Sequence, residues 1–222
     1  MKKDLTELVV VIDESGSMGS VVTDTIGGFN TFLETHQKLP GKALLTLVKF
    51  NTKYEVVHNG LDVRTVPQLN TTTYQAMGST ALLDAVGRSI DEVGKRYDAL
   101  KKKDKPGKVI FLIITDGEEN SSKEYKLEQI KEKTKLRQEK DKWEFVFMGA
   151  NQDAWAAGGG MGISQNVNYT VDDTVRAFSG AAYYSANSRM YSKKTSLNNF
   201  NLSQEDLDKE LDKIKKDNAP KT

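Results

Sequence analysis

Leu8-Val9-Val10-Val11-Ile12-Asp13-Glu14-Ser15-Gly16-Ser17 is the stretch whose reading decides the fold. It begins with five apolar, mostly β-branched residues uninterrupted by a polar one, the pattern of a strand covered on both faces. Two acids, two serines and a glycine follow at once, so the strand ends in a tight polar loop. Val109-Ile110-Phe111-Leu112-Ile113-Ile114 repeats the pattern and runs into Thr115-Asp116-Gly117. Ala43 to Phe50 and Phe145 to Met148 read as further strands. Tyr54 to Val57 reads as an edge strand after the turn Asn51-Thr52-Lys53.

Helical periodicity separates these runs. Val22, Ile26, Phe29 and Leu33 recur at spacings of four and three, as do Leu83, Val86, Ile90, Val93 and Tyr97. Tyr125 to Glu139 is strongly charged, with Leu127, Ile130 and Leu136 as its apolar residues, and belongs outside the sheet. Strands alternating with helices predict an α/β fold: a Rossmann-like, doubly wound, mostly parallel sheet with helices on both faces. Gly158-Gly159-Gly160-Met161-Gly162 reads as a loop or helix end. Residues 1–190 read as one domain and 191–222 as a polar linker with a short amphipathic helix. That helix opens on the capping-box pattern Ser203-Gln204-Glu205-Asp206 and carries Leu207, Leu211 and Ile214 on one face.

Composition excludes several function classes. The chain has 222 residues and no cysteine, so disulfides, zinc-thiolate sites and thiol nucleophiles are out. Its two histidines, His36 and His58, stand in unrelated contexts and read as surface residues, too few for a histidine cage or triad. A formal net charge of +1 gives no overall pull toward nucleic acid or anionic lipid, and Lys101-Lys102-Lys103 is the one dense basic run. The first apolar run is five residues long, against about 7–15 for a secretory core, and no run approaches the roughly 18 of a membrane span. The expectation is a cytoplasmic protein.

Chemistry concentrates at three places. Asp13, Ser15 and Ser17 alternate after the first strand, where an extended loop turns their side chains to one side and Gly16 permits a tight fold. Gly78-Ser79-Thr80-Ala81-Leu82-Leu83 opens a helix with a further hydroxyl, and Asp116 ends the longest strand. Ligands of open α/β sheets bind outside the carboxyl ends of the strands. Carboxylates and hydroxyls are hard oxygen donors suited to Mg²⁺, Mn²⁺ or Ca²⁺. Taken singly, each piece also reads as a helix cap or a turn. Glu14, Glu118 and Glu119 read as solvated acids, and Asp84 as a helix charge or a supporting hydrogen-bond acceptor. Phe29, Phe32, Phe50 and Phe111 read as core, and Trp143 and Trp155 as packing or rim.

Asp-x-Ser-x-Ser, Gly-Ser-Thr-Ala-Leu and Thr-Asp-Gly, in this order and at these distances, resemble the von Willebrand factor A family and its metal-ion-dependent adhesion site. The likeness spans about residues 5 to 190 and is of bacterial or phage type. It implies strand order 3-2-1-4-5-6 with the third strand antiparallel, and a divalent ion, Mg²⁺ foremost, held by Asp13, Ser15, Ser17, Thr80 and Asp116. It further implies that the acids act through water, which leaves the ion electrophilic toward a partner protein's Asp or Glu. The expected function is therefore metal-dependent protein binding, without catalytic residues. The alternative is metal-assisted hydrolysis of a phosphoester, which requires a general base: no histidine lies near these motifs, and Glu118, which with Glu119 stands close to the ion in sequence, would need a raised pKa. An aspartyl-phosphate route through Asp13 lacks the second acid of Asp-x-Asp, since Ser15 stands there, and a Gly-x-x-x-x-Gly-Lys phosphate loop is absent.

Overall fold

Apolar residues 8–12 fill the C-terminal half of β1 (Lys2–Asp13), the third strand from one edge of a six-stranded sheet. The computed structural model describes residues 1–150, 154–191 and 202–218. Along the chain, β1 is followed by α1 (Val22–Lys38), β2 (Lys42–Phe50), β3 (Tyr54–Asp62), α2 (Leu82–Ala99) and β4 (Pro106–Thr115). Then come α3 (Leu127–Asp141), β5 (Glu144–Ala150), α4 (Ala154–Gly160), β6 (Gln165–Tyr169), α5 (Thr174–Tyr191) and α6 (Gln204–Asp217). Strand order is β3-β2-β1-β4-β5-β6. β3 pairs antiparallel with β2, while the other pairings are parallel, as expected for the doubly wound sheet.

The two-residue period of β1 divides the core. Leu8, Val10 and Ile12 face α1, α5 and α6, whereas Val9 and Val11 face α2 and α3. All five are buried, each contributing about 1.5–3 kcal/mol by leaving water. Their continuous apolarity thus follows from cover on both sides. α1 and α5 approach closely because Gly28 carries no side chain: a Cβ there would sit 2.5 Å from Cδ2 of Phe178. α3 matches its charged sequence, with Ile130 buried but Leu127 and Leu136 exposed.

Some elements differ from the sequence reading. β3 runs to Asp62, longer than Tyr54 to Val57, because it continues as an edge strand past Gly60, which adopts φ +67° near the register breaks with β2. β6 and α5 escaped the periodicity analysis. The glycine-rich stretch ends α4, and Gly162 takes φ +75° in the turn that follows. α6 begins after Ser203, whose hydroxyl accepts from the Asp206 amide at 3.2 Å. Its stripe of Leu207, Leu211 and Ile214 is buried in the cluster shared with α1 and α5.

His36 is a correction: it lies fully buried between α1 and α5, its Nε2 2.7 Å from Ser185 Oγ. Burial, then the charge of Arg189, holds its pKa well below the ordinary value, so it is neutral. His58 sits half-buried on β3. Trp143 is core, stacked on Phe111 at 5.4 Å; the side chain of Trp155 and residues 151–153 lie outside the described set. No described helix is long and apolar enough to cross a membrane.

Candidate metal centre

Parallel pairing brings the carboxyl ends of β1 and β4 to one edge, with Asp13 beside Phe50 and Ile12 beside Ile114. The chain leaves β1 through Glu14 and Ser15 into a 3-10 turn over Gly16–Val21. Backbone bonds tie this loop to its neighbours. Gly16 N–H donates to Gly78 O at 2.9 Å, Met77 N–H to Glu14 O at 2.8 Å, and Glu14 N–H to Phe50 O at 2.7 Å. Gly78 takes φ +78°, a region only glycine enters freely. Thr80 is clamped in turn, its amide donating to Asn120 Oδ1 at 3.0 Å and its carbonyl accepting from Asn120 and Ser121.

All five residues picked from the sequence come together. Ser15 and Ser17 hydroxyls lie 3.0 Å apart, and Ser17 Oγ donates to Asp116 Oδ1 at 2.6 Å. Gly117 locates the convergence point. A Cβ built on it would lie 2.7 Å from Thr80 Oγ1, 3.0 Å from Ser17 Oγ and 3.6 Å from Asp13 Oδ2. Oxygens from three separate segments thus surround a space that any residue but glycine would fill. Two carboxylates and three hydroxyls in such a cradle fit a hard divalent cation.

Asp13 is fully buried and held from two sides. Ser15 N–H donates to its Oδ1 at 2.7 Å, and Thr115 Oγ1 to its Oδ2 at 2.6 Å. Burial nevertheless outweighs those bonds and raises its pKa to about 6. Asp116 is also raised, by burial first. Tyr74, buried in the loop before Thr80, donates its hydroxyl to the Asp13 carbonyl at 2.5 Å and so anchors the end of β1.

Three readings of nearby residues change. Thr80 does not cap α2, which starts at Leu82 with Ala81 in the cap position and no side-chain cap bond. That task falls to Glu119, whose carboxylate accepts from Leu83 N at 2.8 Å and also from the Ser121 and Ser122 amides and the Ser122 hydroxyl. Glu119 is therefore a structural acceptor, not a solvated acid. Glu14 pairs with Lys49 at 3.2 Å. Glu118 is exposed as expected. Asp84 accepts the amides of Lys123, Glu124 and Tyr125, and those bonds take its pKa below the usual range despite partial burial. Sequence reasoning missed Thr115, Tyr74 and Asn120; Thr115 was visible in the Thr-Asp-Gly motif, whereas the other two act over long separations.

No family model matches the sequence, and no curated protein does. Solved structures do match in fold. One is a von Willebrand factor type A protein from Catenulispora acidiphila: TM-score 0.53, 16% identity, over 81% of this chain and 42% of that one. Proximal thread matrix protein 1 from the mussel byssus gives 0.54 at 14% identity, over 80% and 45%. The ArnB paralog VWA2 from Sulfolobus acidocaldarius gives 0.52 at 16%, over 81% and 44%. The chain spans less than half the length of each of these proteins.

Proposed function

We propose, from the premise that this chain has the von Willebrand factor A fold, that it is a metal-dependent protein-binding module. The observation that carries the proposal is the oxygen cradle above Gly117, to which Asp13, Ser15, Ser17, Thr80 and Asp116 are brought from three segments. These five would hold the ion, Mg²⁺ in first place, with Mn²⁺ or Ca²⁺ as other oxygen-seeking choices. Bound there, the ion supplies a Lewis-acidic point whose coordination an Asp or Glu of a partner protein completes.

The chain's own residues do the rest. Thr115 and the Ser15 amide hold the Asp13 carboxylate in place. Gly117 keeps the cradle open, and Ser17 presents it to solvent. Met77, 54% exposed on the loop pinned by Glu14 O, offers an apolar flank to an arriving surface. A hydrolase would require a free base beside the ion. Of the two acids that follow Asp116, Glu119 is occupied by bonds from Leu83 N at the start of α2, the Ser121 and Ser122 amides and the Ser122 hydroxyl, which removes it as that base and leaves the exposed Glu118 as the one a hydrolase would have to use.

The test is a selection of displayed random peptides on the whole chain in Mg²⁺, eluted with EDTA, beside calorimetric titration with Mg²⁺. The expected result is one Mg²⁺ site, lost in Asp13→Ala, and selected peptides that depend on a single Asp or Glu. Peptides held equally well in EDTA, or wild-type Mg²⁺ binding by Asp13→Ala, would sink the proposal.

A further inference from the structure

A cavity of about 290 Å³ opens at the sheet edge opposite the metal centre. Asp4 and Thr6 of β1, Pro40 and Gly41 after α1, Lys42 of β2 and Arg189 of α5 line it. Arg189 is half-buried and tied down on one side. Its Nη1 lies 2.7 Å from His36 Nδ1, and its Nη2 donates to Pro40 O at 3.3 Å. A guanidinium has no acceptor, so His36 Nδ1 must accept; Nε2 therefore carries the proton and donates to Ser185 Oγ. Neutral His36 is in this way a positioning residue for Arg189. The adjoining carbonyl, Gly41 O, accepts from Arg64 Nη2 at 2.8 Å. Successive carbonyls of one dipeptide thus hold two guanidinium groups near each other.

Among the described residues, Lys42, Arg64 and Arg189 enter no ion pair. Burial, with the charge of Arg64 second, depresses Arg189 to about 10. The lining carries Lys42 and Arg189 against the carboxylate of Asp4, a surplus of one, and Arg64, bonded to Gly41 O beside the cavity, adds a further positive charge. The carbonyls at the end of α1 offset this only by partial charge. A desolvated guanidinium without a carboxylate is costly unless something anionic is meant to join it.

We propose that this cavity binds a phosphate dianion, free or as the monoester of a small molecule, between Arg189 and Lys42 of its lining, with Arg64 adding its charge from beside Gly41. Two negative charges match the surplus with Arg64 included, and a guanidinium fork suits phosphate oxygens, giving two parallel hydrogen bonds. The volume exceeds what a bare phosphate needs, leaving room for a small organic body.

Calorimetry on the whole chain tests this in EDTA at constant ionic strength, with orthophosphate, ribose 5-phosphate and acetate as probes. Saturable binding of the phosphates, with acetate at least tenfold weaker, is the expected result. Tighter binding of ribose 5-phosphate identifies a monoester site; equal or tighter orthophosphate identifies a free-ion site. Arg189→Lys should weaken binding by losing the fork, but its half-buried guanidinium also ties α5 to His36 and Pro40. Arg64→Gln and Lys42→Gln are exposed changes that leave the fold intact, and each should weaken phosphate at least tenfold. Absence of saturable binding, acetate binding as tightly as phosphate, or parental affinity in both exposed variants overturns the proposal.

Discussion

Asp13→Asn should make the metal-free protein more stable at neutral pH, although it removes the acid at the centre of the site. Asp13 is fully buried, and its pKa rises from 3.8 to about 6. The shift is about two units, each worth about 1.4 kcal/mol, so ionised Asp13 costs the fold ~3 kcal/mol when no cation is present. The sign follows from proton linkage. Below pH 3.8 the group is protonated in folded and unfolded chains, and no penalty exists. Between 3.8 and about 6 the folded chain holds the proton more tightly, so stability falls as pH rises, and above 6 the full penalty applies. Asn carries no charge and escapes it. Melting in EDTA at pH 7.5 should therefore place Asp13→Asn above the parent by roughly 6–12 °C for a domain of this size. The difference should shrink toward pH 4. Adding Mg²⁺ should reverse the order, stabilising the parent by mass action and leaving the variant unchanged. A variant that melts at or below the parent in EDTA at pH 7.5 would refute the argument, as would equal stabilisation of both by Mg²⁺.

Thr80→Val keeps the shape of a side chain that caps nothing, so melting in EDTA should shift by less than about 1 kcal/mol while Mg²⁺ affinity by calorimetry drops at least tenfold. Gly117→Ala places a methyl 2.7 Å from Thr80 Oγ1, and titration should show Mg²⁺ binding lost or reduced more than tenfold. Lys142 ends α3 at φ +59°, where glycine is favoured; Lys142→Gly should stabilise by about 0.5–1 kcal/mol in urea unfolding, with Mg²⁺ affinity unaltered. Leu207→Ala should cost about 2–5 kcal/mol in the same assay, because α6 buries that side chain completely in the main core. A negligible cost there would mean that α6 leaves the domain in solution.

How much of this was legible in the sequence depended on how local each signal was. β1 and β4 announce themselves because helices cover both faces and every position must be apolar. β6 does not: Gln165-Asn166-Val167-Asn168-Tyr169 is an edge strand in which only Val167 and Tyr169 are buried. α5 hides for the opposite reason. It is buried nearly all round, and close packing against α1 selects small residues over apolar ones, so Ser179, Ser185 and Ser188 lie inside with Ala177 and Ala181. A hydrophobic period cannot detect a helix chosen by size. His36 was misplaced because its partners, Ser185 and Arg189, lie about 150 residues away on that unrecognised helix.

At the candidate metal centre the five converging oxygens were legible because each sits in a short motif at a strand or helix boundary. Their supports were not, for a reason that bears on the chemistry. The acids around the site are numerous, and the sequence offers no means to tell which are spent on the fold. The structure makes the division. Glu14 neutralises Lys49, Glu119 takes the Leu83 amide of α2 and the Ser121 amide, and Asp84 takes the amides that lead into α3. Glu118 is exposed, and Asp13 and Asp116 face the cradle beside three neutral hydroxyls. The low anionic count therefore comes from the commitment of neighbouring acids to backbone amides and Lys49, not from any scarcity of carboxylates. A cation held by that set would keep much of its charge unneutralised, and on the proposed function this would make a partner's carboxylate a favourable further ligand.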